Sequence, residues 1–73
     1  MYFSINGKNV KSLDYDIQDR TLKVLFQNGR TYQYEDVGAS WVARMIGSEA
    51  DSLPRELGKT HKYVELETDK INL

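Results

Sequence analysis

The stretch "FQNGRTYQYEDV", Phe26 to Val37, decides the fold. It places two tyrosines, Tyr32 and Tyr34, one residue apart just after Asn28-Gly29. They are either a stacking platform for bases or part of a core, and strand register separates the two readings. A two-residue loop sets Leu25 opposite Tyr32 and Lys23 opposite Tyr34, which mixes apolar and polar rows. A three-residue loop, Gln27-Asn28-Gly29, puts Gly29 at the left-handed position of a bulge, where a glycine has no Cβ to clash. Val24 then faces Tyr32 and Leu22 faces Tyr34. Directly opposed side chains share a face, so Leu22, Val24, Phe26, Tyr32 and Tyr34 all fall on one side of the sheet. The spacing therefore predicts a bulged hairpin with both tyrosines on the core side.

Working outward, "TLKVLFQ" before the turn has the two-residue period of a half-buried strand. "MYFSI" at the start is followed by Asn6-Gly7, a two-residue hairpin signal that would set Phe3 opposite Val10. The partner strand runs roughly from Asn9 to Asp16, with Leu13 and Tyr15 alternating with Ser12 and Asp14. Asp16 and Asp19 suit the polar turn that follows. After Val37 the period changes. Trp41, Val42, Met45 and Ile46 form one stripe of a helix that should end at Gly47. "SEAD" (Ser48 to Asp51) resembles a capping box, and Ser52 is a second candidate N-cap with Pro54 in the first turn. A second short helix is expected to end at Gly58, and "KYVEL", Lys62 to Leu66, reads as a last strand.

The expected architecture is α+β: a small antiparallel sheet of four to five strands, with one or two short helices packed on one face. Residues 1–66 form a single domain, and 67–73 are expected to fray as a C-terminal tail. An open sheet edge allows a homo-oligomer.

The chain has 73 residues, enough for one small domain. It has no cysteine, which removes disulfides, thiolate metal ligands and thiol nucleophiles. No apolar run reaches the ~18 residues of a membrane span, and no signal-peptide pattern opens the chain. A cytoplasmic protein without membrane contact is expected. Ten basic and eleven acidic residues leave a net charge of −1, where a phosphate-backbone binder usually carries a basic excess.

The run from Leu13 to Val37 resembles the KTSC domain, a small family found at the C-terminus of some lysyl-tRNA synthetases and as stand-alone bacterial or phage proteins. The matching residues are Tyr15-Asp16, Thr21-Leu22, Val24, Phe26, Gly29, Tyr32-Gln33-Tyr34 and Val37. Ala50-x-Ser52 and Tyr63 fall at later family positions. Pro54 stands where a glycine is usual and Glu56 where an aromatic is usual. The resemblance implies an α+β fold, and RNA binding has been suggested for the family. It supplies no catalytic residue.

His61 is the single histidine and has no matched nucleophile or ligand set, so an ordinary exposed residue is expected. Asp14, Asp16 and Asp19 lack the spacing and distal acid of a Ca²⁺ loop and suit turn chemistry. No P-loop, dinucleotide fingerprint or serine elbow is present. We expect no enzyme activity, no metal and no cofactor. The expected function is a non-enzymatic binding module for RNA or a nucleic-acid-processing complex, using Tyr15, Arg20, Lys23, Arg30, Tyr32 and Tyr34. The alternatives are a factor that binds or inhibits a larger protein through a sheet edge or the Arg44/Arg55 region, and a small-nucleotide site at an oligomer interface.

Overall fold

The computed structural model describes residues 1–47 and 49–66. Five strands, β1 (Tyr2–Ser4), β2 (Val10–Asp16), β3 (Thr21–Phe26), β4 (Thr31–Tyr34) and β5 (Tyr63–Leu66), form one antiparallel sheet in chain order. Helices α1 (Ala39–Ile46) and α2 (Leu53–Thr60) sit between β4 and β5 in sequence and cover one face. The expected α+β architecture is the one observed. The frayed tail expected for 67–73, and the Ser48 end of the capping box, lie outside the described residues.

The central hairpin has the three-residue loop. Leu22 pairs with Tyr34 and Val24 with Tyr32, and Gly29 takes a φ of 90°. That backbone region costs a glycine little and most other residues a good deal. Leu22 and Val24 are fully buried, and with Leu13, Tyr15 and Tyr34 they form the sheet half of the core. Val42 and Met45 of α1 and Leu53 and Leu57 of α2 form the other half. Trp41 packs at the margin, whereas Ile46, the last residue of the expected apolar stripe, is 44% exposed. It closes the last turn of a short helix, where Gly47 caps the chain and turns it away.

The first hairpin departs from the expected register. Phe3 pairs with Leu13, not Val10, and the connection is longer than an Asn-Gly turn. The turn is held from far along the chain. Asp51 accepts backbone N–H bonds from Lys8 at 3.0 Å, Asn9 at 2.9 Å and Val10 at 3.1 Å. The Gly7 N–H donates to Val10 O at 2.8 Å, so the chain reverses at Lys8-Asn9 rather than at Asn6-Gly7, and Asn6 is an extra residue whose N–H shares Lys11 O with that of Ile5. Gly7 completes the clamp, because a Cβ there would lie 2.9 Å from Asp51 Oδ1. A bulge between Val10 and Ser12 then returns Val10 to the core face alongside Leu13.

The three amides, that of Asn9 first, hold the Asp51 carboxyl below the usual carboxylate range. A depressed folded-state value gives stability that is fully present above the unfolded value, about pH 4, and lost as pH falls through the folded one. Asp51→Ala is expected to melt at a lower temperature than the wild type at pH 7. The gap should narrow on acidification below about pH 4, as read by thermal melts across pH. A gap of constant width would show that the clamp carboxylate contributes nothing through its charge.

Helix α2 runs through Gly58 to Thr60, two residues past its expected end, and His61 caps it with its N–H on Leu57 O. Ser52 is the N-cap and Pro54 lies in the first turn, although the Ser52 hydroxyl makes no capping bond to the helix.

Candidate functional site

The two helices leave part of the sheet uncovered. Between α2 and strands β3, β4 and β5 lies an open groove of about 800 Å³. Its floor is aromatic because the same alternation that builds the core continues past the last helical residue able to cover it. The Phe26 and Tyr32 rings meet edge to face with centroids 5.6 Å apart. Tyr32 and Tyr63 are 5.7 Å apart, and Tyr34 and Tyr63 are 5.3 Å apart. Tyr34 is 4% exposed and Tyr63 48%, so the row runs from core to solvent. Burial, reinforced by Tyr63 and then Tyr32, pushes the Tyr34 phenol up to about 12. The phenol is therefore held in its neutral form.

The wall opposite is α2. Arg55 and Lys59, four residues apart on one helix face, both line the groove, with Gly58 beside them. Arg30 and Asn28 close the end at the β3–β4 turn. Arg30 stands 3.9 Å from Glu65, and Lys59 stands 3.6 Å from Glu56. Both are exposed surface pairs, which contribute little and are readily exchanged for another anion. Arg55 makes no ion pair among the described residues. Asp51 also borders the groove, but its carboxylate oxygens are turned onto the amides of the first loop.

Of the six residues singled out from sequence, the groove gathers Arg30, Tyr32 and Tyr34. Tyr15 is 2% exposed and donates its hydroxyl to Val37 O at 2.7 Å, which ties β2 to the segment entering α1. Arg20 pairs with Asp36 at 3.2 Å beside the β2–β3 turn. Lys23 lies on the opposite sheet face, in register with Asp14 and Gln33. Phe26, Tyr63 and Lys59 are not among the six, and Arg55, expected on a protein-docking surface with Arg44, lines the groove as well. The four-residue spacing of the two cations was a readable signal, but only the antiparallel return of β5 beside β4 brings Tyr63 to Tyr32.

The remaining candidates fall elsewhere. His61 is not an exposed, isolated side chain: its ring packs edge-on against Trp41 at 5.6 Å and its Nδ1 lies 2.7 Å from Thr60 Oγ1. Asp16 accepts the N–H groups of Gln18 and Asp19 at 3.0 and 3.1 Å, the turn chemistry expected of it. Among the described residues no group of three His, Cys, Asp or Glu side chains is arranged to hold a metal, and no helix is long and apolar enough to cross a membrane.

These features define a class: a small α+β domain whose helices leave an aromatic, cation-edged groove beside one end of the sheet. The chain belongs to the KTSC domain family, whose model matches residues 6–53. It is also 34% identical over 59 residues to an uncharacterized protein of Stutzerimonas stutzeri (strain A1501), covering 81% of this chain and 80% of that protein. The family match holds the groove floor at Phe26, Tyr32 and Tyr34. It stops before the wall at Arg55, Gly58 and Lys59 and before Tyr63.

Proposed function

We propose that the domain is a non-enzymatic module that binds single-stranded RNA in this groove. The observation that carries the reading is the convergence of Phe26, Tyr32 and Tyr63 with Arg30, Arg55 and Lys59 in one concavity. Unpaired bases stack on aromatic rings, and cations beside the rings meet the phosphates. The near-zero net charge of the whole chain argues for a short contact rather than a long electrostatic track.

The reading is tested by fluorescence anisotropy with a labelled ten-nucleotide single-stranded RNA. Three phosphate contacts give a slope of about −2 for the logarithm of affinity against the logarithm of salt concentration. Absence of binding at low salt overturns the proposal. Recovery instead of one stoichiometric, nuclease-insensitive protein partner would favour docking on the sheet edges β1 and β5.

A further inference from the structure

Helix α2 has eight residues, and a helix that short holds its place only through tertiary contacts. Its two ends are held differently. Past Thr60 the chain enters β5 at Tyr63, and Lys62 O accepts the Glu35 N–H at 2.9 Å, so the end that carries Lys59 is tied to the sheet. The end that carries Arg55 follows a turn closed by the Ser52 N–H on Glu49 O at 3.2 Å. There the Arg44–Glu49 pair at 2.9 Å is an exposed one and contributes little. Leu53 is buried, but apolar contact is non-directional. The directional tie is Asp51. It lies two residues before the helix, and its carboxylate accepts the Lys8, Asn9 and Val10 N–H groups. Successive amides turned onto one anion form a concave receptor, here filled by the chain's own side chain.

We infer that Asp51 is a positioning residue for the groove: by gripping the Lys8, Asn9 and Val10 amides it seats the N-terminal end of α2, and so sets where Arg55 meets a phosphate of single-stranded RNA. This rests on the reading of the groove as an RNA site. Asp51 borders the groove, so the two roles open to it have opposite signs. As a bystanding anion it would repel the phosphates, and its loss would strengthen binding. As the seat of α2, its loss frees the Arg55 end and weakens binding. The effect is confined to that end, because Arg55 lies in the first turn of α2 and Lys59 in the last, beside β5.

The test uses the full chain and anisotropy with a 5′-fluorescein-labelled decauridylate, at a temperature where thermal melts show the variants folded. Asp51→Ala is expected to weaken binding about tenfold, the size of one charge-assisted phosphate contact. Asp51→Asn keeps the shape and one acceptor oxygen. It should weaken binding less, and it carries the same comparison if the alanine variant does not fold. A double-mutant cycle separates placement of Arg55 from general loosening. Arg55→Ala should cost less affinity in the Asp51 variant than in the wild type, whereas Lys59→Ala should cost the same in both. Those two results together support the inference. Unchanged or tighter binding by the Asp51 variants overturns it while leaving the groove reading intact, and so does an Arg55→Ala cost that they do not reduce. Costs reduced alike at Arg55 and Lys59 overturn it as well, because the whole groove would then have loosened. No binding of decauridylate by the wild type removes the RNA reading and this role together.

Discussion

Leu22→Ala is expected to lower the melting temperature by about 12–24 °C. Leu22 is fully buried at the centre of the sheet, with Tyr15 opposite on one side and Tyr34 on the other. Truncating such a leucine removes about 3 kcal/mol, part from lost transfer energy and part from a cavity that the rigid strands on both sides cannot close. A domain of this size holds only about 4–11 kcal/mol in total, and each kcal/mol shifts its midpoint by about 4–8 °C. Lys23→Ala, one residue along and on the exposed face, should stay within about 0.5 kcal/mol of the wild type. Thermal or urea melts of the two variants measure the difference. Similar midpoints would mean that the β3 register is not the one described.

The second large effect concerns binding. Reversing both α2 cations, Arg55→Glu with Lys59→Glu, is expected to weaken binding of a single-stranded RNA decamer by more than about a hundredfold. A hydrogen bond to a charged group contributes about 1.5–3 kcal/mol, and two are removed. The salt slope should also flatten by more than one unit, since each lost phosphate contact removes about 0.7. Both side chains are exposed on a helix whose buried residues are Leu53, Pro54 and Leu57, so the fold is expected to survive. A control reversal at Lys23, on the other sheet face, should leave affinity nearly unchanged. If Lys23→Glu weakens binding as much as the α2 pair, the RNA lies on the outer face and the groove is not its site.

The opening stretch shows which part of the site was legible. Alternation over Leu22 to Phe26, with Gly29 at a position needing positive φ, was enough to put Tyr32 and Tyr34 on the core side. The choice between core and platform, however, turned out to be a false alternative. Tyr34 is buried while Tyr32 borders the groove, because α1 and α2 cover only part of the face that both rings share. How far a helix reaches across a sheet depends on the loops that position it, and no periodicity encodes that reach.

Sequence alone determined what rests on near neighbours: the strands, the bulged central turn, the helical stripe ending at Gly47 and the α+β class. Each follows from interactions within roughly one turn or one strand pair. Tertiary structure decided what depends on distant residues. Asp51, some forty positions away, holds the first turn at Lys8-Asn9, where Phe3 pairs with Leu13 and not Val10. The return of β5 beside β4 laid Tyr63 against Tyr32 and Tyr34. α2 then set Arg55, Gly58 and Lys59 along the open side of those rings. The physical reason is the same in each case: a carboxylate, a ring or a cation acts on whatever the folded chain brings within a few ångströms of it, and local pattern does not report those distances.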